Sequence, residues 1–582
     1  MAMFEKSLIL KRVNQSSKVL PTTPTAMFTK SLITKKVNLT KKCFMIIKAG
    51  NKNHNMKPEY LTDIFYPSHF YDFMSPVLLN YLAALHGFAP RSLQGAFNYC
   101  ELGCGGGMTT NTLAAAYPQG NFYGVDMNPA HIAYARQWAT DALLNNIQFI
   151  EANLCVLDGS QLPEFDFITI HGLYSWVSPK TRRAIVDFIQ DKLCPGGIMM
   201  ISYNAMPGSA LIQPIREMML AYTSGIAGDT RTKVDEGIAY LRYLCEHEAA
   251  YFTDNPMAKT AVEHIFDRST DYLAHEFFNA HWTPFYFMEV AETMAAIDLT
   301  FVGTLPVHAN YLEITIPSTF REFFKTAPDR VVLERHKAFV RNERFRRDVY
   351  IKSATGSVEG AARLPLFEAF YFGTEQETVQ QEITLQNGNE EIQLSYNGEP
   401  SQTIATSLLA HPQTLPELLT TQPNLADFPA EDVLDGINML IIGGEFRPFV
   451  STSYPLPPDG NRLQLSIPNA FNRLLLEQAH LSQESTIYLA SPVVGDGVAI
   501  NLIEGLLLLG LVEKPLNEVS FWAYQQLEAA GKTLNIEGET IEGQTALMAV
   551  LNEQLQKLFN HRISKLIELG ILGGSTTDCN PA

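Results

Sequence analysis

The chain contains 582 residues, which is too long for one hydrophobic core and predicts about three or four domains. Hydrophobic residues make up 46% and charged residues 18% of the sequence, the composition of a globular protein. The formal net charge of -18 opposes a nucleic-acid-binding role, because neutralising phosphates requires clustered Lys and Arg. We therefore expect no nucleic-acid partner.

The first 57 residues differ from the rest of the chain. They contain twelve Lys and Arg but a single acidic residue, and the segment Met3–Asn14 returns in similar form as Met27–Asn38. Two copies are too few to stack into a repeat core. We predict that residues 1–57 form a basic, repeated, disordered tail or lie upstream of a later start, with a targeting or membrane-surface segment as the alternative.

The seven cysteines are scattered, and no pair has the spacing of a zinc site or a redox motif. The sequence therefore predicts no metal, free thiols and a cytoplasmic location. The most apolar stretch, Val493–Val512, contains Asp496 and Glu504, so we expect a buried globular segment and no stable membrane insertion.

Short apolar runs alternate with helical stretches from about residue 96 to residue 205. The predicted strands are Ala96–Leu102, Asn121–Asp126, Ile147–Glu151, Phe165–His171 and Ile198–Tyr203. The predicted helices are Met108–Tyr117, Pro129–Leu143 and Pro179–Leu193. Strands separated by helices of this length pair in parallel through right-handed crossovers. The pattern therefore predicts an α/β fold with a doubly wound, Rossmann-like sheet.

A glycine-rich turn, Glu101-Leu-Gly-Cys-Gly-Gly-Gly107, follows the first predicted strand and precedes the first helix. Gly103 and Gly105 permit a tight turn and a close approach of the backbone to a ligand. Glu101 would repel a pyrophosphate but would bind a cationic amino group. The order of the motif therefore differs from a dinucleotide fingerprint.

Asp126 ends the second predicted strand, where a carboxylate can accept hydrogen bonds from both hydroxyls of a ribose. Together with Glu101, it indicates a nucleoside that carries a charged amino-acid tail and no phosphate. S-adenosylmethionine fits this description. Asn153, after the third predicted strand, is placed to contact the adenine edge.

Aromatic and amide side chains follow the fourth and fifth predicted strands, where ligands collect in open α/β sheets. Tyr174, Trp176, Tyr203 and Asn204 are predicted to line the channel for the methyl acceptor, since aromatic faces attract a sulfonium cation. His171, or the adjacent pair His275 and Glu276, is predicted to assist removal of a proton. The two members of that pair would point about 100° apart on a helix.

The stretches at 101–107, 124–129, 165–179 and 195–208 (ELGCGGG, GVDMNP, FDFITIHGLYSWVSP and PGGIMMISYNAMPG) resemble bacterial class I methyltransferases that carry a methyltransferase regulatory domain. The resemblance covers about residues 58–450. It implies S-adenosylmethionine binding by Glu101, Gly103, Gly105 and Asp126, and some members methylate lysines of outer-membrane proteins. Asn153 departs from the pattern, because many methyltransferases have Asp at that position.

The full set of predicted sites has two parts. The predicted cofactor contacts are Glu101, Gly103, Cys104, Gly105, Gly107, Asp126, Met127, Asn153, Leu154 and His171. The predicted catalytic residues are Tyr174, Trp176, Tyr203, Asn204 and His171. No metal site is predicted.

The predicted domains follow from changes in composition along the chain. They are the tail over 1–57, a methyltransferase domain over 58–208, a helical regulatory or substrate domain over 209–305, a mixed α+β segment over 306–402, a winged-helix-like unit over 403–455 and a C-terminal helical domain over 456–582. A helix through Arg330–Asp348 and an Arg-rich ion-pair face over 341–348 are predicted within the mixed segment.

The resemblance implies methyl transfer from S-adenosylmethionine to a deprotonated lysine of a protein, with outer-membrane proteins before export as examples of the acceptor. A homodimer is the expected assembly. The large additions after residue 208 favour a macromolecular acceptor over a small molecule. Two alternatives stay open: a small-molecule O- or N-methyltransferase, and a non-catalytic interaction protein on a methyltransferase scaffold.

Overall fold

A computed structural model describes residues 8–9, 69–354, 356–387, 390–453, 465–479, 486–532, 534–536, 539–541 and 543–574. Apart from a two-residue strand at Leu8–Ile9, the predicted tail lies outside the described residues. Within the described ranges, every helix is too short or too polar to cross a membrane.

A seven-stranded sheet forms the centre of the molecule. Its strands are β1 (Asn98–Leu102), β2 (Asn121–Asp126), β3 (Ile147–Glu151), β4 (Phe165–Ile170), β5 (Leu193–Asn204), β6 (Leu299–Thr304) and β7 (Phe345–Lys352). They are ordered β3-β2-β1-β4-β5-β7-β6 across the sheet. The first five strands are parallel, and β7 is antiparallel to both of its neighbours. The predicted doubly wound α/β fold is confirmed.

The helices around the sheet begin where the sequence provides caps. They are α1 (Pro76–Leu85), α2 (Met108–Ala116), α3 (Pro129–Asp141) and α4 (Pro179–Lys192). The side chain of Asn128 accepts a hydrogen bond from the Ala130 amide at the start of α3, and Ser178 accepts one from the Thr181 amide at the start of α4. Both caps precede a proline in the first helical turn, which has the backbone angle that a helix needs. The predicted elements of this region are confirmed to within a few residues.

The next part of the chain is helical as far as β6. It contains α5 (Ile212–Thr223), α6 (Thr230–Glu246), α7 (Ala250–Asp254), α8 (Pro256–Phe266), α9 (Thr270–Phe277) and α10 (Phe287–Ala295). Most of these helices share a separate apolar core, in which Ile215, Met219, Leu241 and Phe277 are buried. Three helices then lie between β6 and β7: α11 (Leu312–Thr315), α12 (Ser318–Phe324) and α13 (Arg330–Arg341).

The predicted helix through Arg330–Asp348 is wrong in its second half. The helix α13 ends at Arg341, because Asn342 takes a left-handed backbone conformation with φ 49°. The chain then forms β7 and pairs with β5 at the edge of the sheet. The predicted boundary at residue 208 therefore divides the chain within one sheet, and the helical segment is an insertion between β5 and β6.

The C-terminal part combines small sheets with helices. The strands are β8 (Tyr371–Gly373), β9 (Glu382–Asn387), β10 (Glu390–Ser395), β11 (Gln413–Thr414), β12 (Arg447–Phe449), β13 (Thr486–Ser491), β14 (Asp496–Asn501), β15 (Leu534–Ile536) and β16 (Glu539–Ile541). The helices are α14 (Ser401–Ala410), α15 (Leu415–Thr421), α16 (Ala430–Ile442), α17 (Ala470–Gln478), α18 (Leu502–Glu513), α19 (Leu516–Ala529), α20 (Gln544–Lys557) and α21 (Ile563–Glu568). The predicted C-terminal helical domain over 456–582 thus also contains two β-hairpins among its described residues.

A buried charged network fixes α13 against β7. The Arg346 guanidinium, about 1% exposed, forms ion pairs with Glu334, Glu343 and Asp348. The hydroxyl of Tyr203 donates a hydrogen bond to Asp348 at 2.5 Å, which joins the network to β5. One arginine of the run predicted as an ion-pair face, Arg346, therefore lies in the interior of the protein.

We expect Arg346→Met to lower the free energy of unfolding by about 3–5 kcal/mol, because buried carboxylates would lose their counter-charge. Arg335→Ala is the matched control: this exposed arginine lies on helix α13 next to Glu334 but outside the network, and its loss should change stability by less than about 0.5 kcal/mol. Urea unfolding followed by circular dichroism measures both. Equal stability of the two variants would contradict the importance of the network.

Candidate functional site

A cavity of about 380 Å³ lies at the carboxyl ends of β1, β2, β4 and β5. This is the end of an open α/β sheet at which ligands bind. Its wall includes most of the glycine-rich turn, the loop after β3 and one face of α9. The sheet and the helical insertion therefore build the cavity together.

The glycine-rich turn takes backbone conformations that favour glycine. Gly103, Gly105 and Gly107 have φ angles of 79°, 52° and 70°. A Cβ atom on Gly107 would lie 2.7 Å from the Phe149 ring, whereas a Cβ on Gly105 would meet no atom within 4 Å. Gly107 is thus required for packing and lies behind the cavity wall, while the backbone at Gly105 faces open space where a ligand can approach closely.

Two carboxylates stand beside this turn. Asp126 accepts hydrogen bonds from the amides of Gly105 at 3.0 Å and Asn128 at 2.8 Å, which fix its orientation. Glu101 accepts a hydrogen bond from the Thr110 hydroxyl. Burial raises the pKa of Glu101 to about 8, and the nearby Asp126 adds to this shift. A cation bound here would relieve the cost of ionising Glu101.

The other predicted cofactor contacts lie around the same cavity. Cys104, Met127, Asn153 and Leu154 line it. The Asn153 side chain accepts a hydrogen bond from the Cys155 amide at 2.9 Å, so its oxygen already helps to shape the loop after β3. With the exception of Gly107, every predicted cofactor contact therefore borders one space.

His171 lies in an aromatic enclosure at the end of β4. Its ring centroid is 4.3 Å from that of Tyr71, 4.9 Å from Phe73 and 6.0 Å from Phe345. Its Nδ1 atom is 2.8 Å from the Ser202 hydroxyl. Burial lowers the pKa of His171 to about 3, and the positive charge of Arg347 contributes. The imidazole is consequently neutral at physiological pH.

Trp176 and Asn204 line the cavity as predicted, but Tyr174 and Tyr203 do not. Successive side chains of a strand point to opposite faces, so the exposure of Asn204 to the cavity turns Tyr203 into the core. Tyr203 is 1% exposed and bonds Asp348, and Tyr174 packs against Phe285 with ring centroids 5.3 Å apart. The prediction that these two tyrosines line the channel is therefore wrong.

The structure brings residues from the helical insertion to the site, some of them predicted and some not. Both members of the predicted pair, His275 and Glu276, line the cavity, and they are joined there by Tyr272 and Asn279. Three of these polar residues lie in α9 and Asn279 follows its end, and their helical spacing was a signal visible in the sequence. His69, Tyr71 and Phe345 also line the cavity, but they come from distant parts of the chain and no local pattern marks them.

Comparisons with known proteins agree with this geometry. Residues 100–197 match the family model described as "Methyltransferase domain", and residues 269–352 match "Predicted methyltransferase regulatory domain". An uncharacterized protein of Synechocystis sp. is 30% identical over 523 residues, which cover 88% of this chain and 99% of the relative. A carboxy-S-adenosyl-L-methionine synthase of Dichelobacter nodosus is 25% identical over 147 residues, covering 25% of this chain and 61% of the relative.

A solved structure of PKMT2 from Rickettsia typhi in complex with AdoHcy covers 87% of this chain and 99% of its own, with a TM-score of 0.64 and 19% identity. The chain belongs to the S-adenosylmethionine-dependent methyltransferases with a regulatory domain. S-adenosylmethionine is its methyl donor. In this methyltransferase, the segment that matches the regulatory domain contains α9, β6 and β7. It therefore contributes both sheet strands and cavity wall.

We expect Glu101→Gln to become more stable than the parent enzyme as the pH rises from about 4.5 to about 8, in the absence of cofactor. The folded parent holds a proton that the unfolded chain releases, so its stability falls across this window, whereas Gln cannot ionise. The gap should reach on the order of a few kcal/mol at pH 9. Thermal unfolding at a series of pH values measures it. The exposed Glu164→Gln should show no such trend.

Proposed function

We propose that this methyltransferase acts on lysine side chains of proteins. The observation that carries the proposal is the rim of the cavity, where the rings of Tyr272 and Phe345 line the opening and are each 41% exposed. A long side chain can pass such a rim while the rest of a macromolecule stays outside. The Rickettsia typhi neighbour is named as a protein lysine methyltransferase, which supports the same acceptor class.

The part of the cavity beside the glycine-rich turn and the ends of β1–β3, called here the cofactor half, has side chains that suit S-adenosylmethionine. We assign Asp126 to the ribose hydroxyls, Glu101 to the amino group of the methionine part and Asn153 to the adenine edge. The open space beside Gly105 admits a ligand close to the backbone. When bound, the cofactor supplies an electrophilic methyl group on a sulfonium; the enzyme positions the reactants and excludes water.

The acceptor half, the part of the cavity away from the glycine-rich turn, is aromatic and polar. Among the described residues, no Lys or Arg lines the cavity to repel a protonated amine. Trp176 and His171 form its inner wall, and His171 is neutral. A lysine amine has a solution pKa of about 10.4 and must lose a proton before it can act as a nucleophile. An enclosed aromatic environment lowers the pKa of an amine, because burial disfavours its charged form.

Radiolabelled methyl transfer into a total protein extract tests the acceptor class. We expect the label to enter protein bands and, after complete hydrolysis, to be recovered as methylated lysine. Heat-denatured enzyme is the control. Label that appears only in the low-mass fraction would indicate a small-molecule methyltransferase, and cofactor binding without any transfer would indicate a non-catalytic scaffold protein.

Asp126→Ala should weaken the binding of S-adenosylhomocysteine by about 10–100-fold, the loss expected for hydrogen bonds to a charged group. Titration calorimetry measures the affinity. Asp187→Ala is the control, because Asp187 is exposed on α4 outside the cavity. Equal affinity of the Asp126 variant and the parent enzyme would remove Asp126 from the cofactor site.

A further inference from the structure

The helix α9 presents a polar face to the cavity and an apolar face to the other helices of the insertion. Tyr272, Glu276 and Asn279 follow one another at spacings of four and three residues and all line the cavity. Leu273 and Phe277 point the other way and are buried in the core of the insertion. The position of Glu276 is therefore fixed by the packing of the whole insertion.

The carboxylate of Glu276 has no hydrogen bond or ion pair with any residue in the described part of the chain. Its side chain is mostly enclosed, and burial raises its pKa to about 7. An enclosed carboxylate without a counter-charge is costly, so its presence in a ligand cavity indicates a cationic ligand. Burial raises the pKa of Tyr272 on the preceding turn, and the charge of Glu276 adds to this shift.

A second acceptor atom faces the same cavity from the sheet. The backbone amide of Asn204 donates to the Ser175 hydroxyl at 2.9 Å, and its carbonyl accepts from the Phe285 amide at 2.9 Å, so the end of β5 is held in place. The Oδ1 atom of the Asn204 side chain is buried and has no hydrogen-bond partner among the described residues. It is available to accept a hydrogen bond from a bound N–H group.

The charges around the cavity favour cations. Among the residues that the structure describes, three carboxylates line it, those of Glu101, Asp126 and Glu276, and no Lys or Arg does. The proposed function assigns two of these carboxylates to the cofactor. Glu276 remains, and it lies on α9, outside the sheet, in the segment that matches the regulatory domain.

We propose that Glu276 and Asn204 form the acceptor subsite, which binds a protonated primary amine and removes its proton. This rests on the proposed function. The amine's N–H bond breaks, its electron pair stays on nitrogen, and the proton forms an O–H bond with the Glu276 carboxylate. The Asn204 side-chain oxygen accepts a hydrogen bond from a second N–H of the same amine and orients it. The proton returns to solvent when the product leaves.

The pH dependence follows from the ionisation of Glu276. Its carboxylate must be charged to accept the proton, so initial rates should rise as the pH passes about 7. Other titratable groups line the cavity and are present in parent and variant alike: Tyr71, Tyr272, Cys104, His69, His131, His171, His275, Glu101 and Asp126. An inflection of the pH–rate profile that is present in the parent and absent from Glu276→Gln therefore reports the ionisation of Glu276.

The test compares Glu276→Gln with Glu263→Gln, an exposed glutamate of the neighbouring helix α8. The probe is radiolabelled S-adenosylmethionine with total extract protein as acceptor, and S-adenosylhomocysteine affinity is measured in parallel. We expect Glu276→Gln to lower the initial rate by about 10²–10⁴-fold, as for loss of a general base, and to lose the inflection near pH 7. Its S-adenosylhomocysteine affinity should stay within about twofold of the parent, and Glu263→Gln should behave as the parent.

Glu276→Asp keeps the test decisive if the Gln variant does not fold. It should retain the inflection at a reduced rate, because the carboxylate is present but one methylene shorter. A parent-like rate and pH profile in Glu276→Gln, or a Glu276→Asp variant without the inflection, would overturn the acceptor subsite alone. Failure of the parent enzyme to bind S-adenosylhomocysteine, or to label protein, would instead overturn the proposed function.

Discussion

The antiparallel pairing of β7 with β5 is the constraint on which the rest of the structure depends. The two strands are paired from Ile198 opposite Ile351 to Asn204 opposite Phe345. Without β7, the edge of β5 would expose a row of unpaired backbone groups. The pairing also places Phe345 at the cavity rim and Arg346 in the buried charged network. The parallel strands β1–β5 and the regulatory-domain segment consequently form one structural unit, although β5 and β7 are distant in sequence.

This arrangement accounts for the charge of the cavity. In the proposed reaction, the sulfonium cofactor and the protonated amine are both cations, and bringing them together in an enclosed space is opposed by their mutual repulsion. Carboxylates from the sheet and from α9 offset that repulsion. The sheet contributes Glu101 and Asp126, and the insertion contributes Glu276. The proposed reaction uses both parts of the chain, since neither alone supplies all three carboxylates.

Local features of the site could be predicted because their causes lie within a few residues of one another. The alternation of strands and helices, the caps at Asn128 and Ser178, and the glycine-rich turn are each read from short windows. The same windows place Glu101 and Asp126 at strand ends, where the sheet brings them to one cavity. Even Gly107, which packs against Phe149 rather than facing the ligand, lies in a motif that the sequence identified.

The sequence by itself determined the Rossmann-like sheet, the cofactor class and the order of the elements that bind it. Only the tertiary structure decided that the chain after α13 forms a strand, that Tyr203 faces the core while Asn204 faces the cavity, and that Glu276 approaches from the insertion. These outcomes depend on contacts between residues more than a hundred positions apart, such as the hydrogen bond from Tyr203 to Asp348. A local pattern cannot contain them, because the free energy that selects them arises only when distant segments pack together.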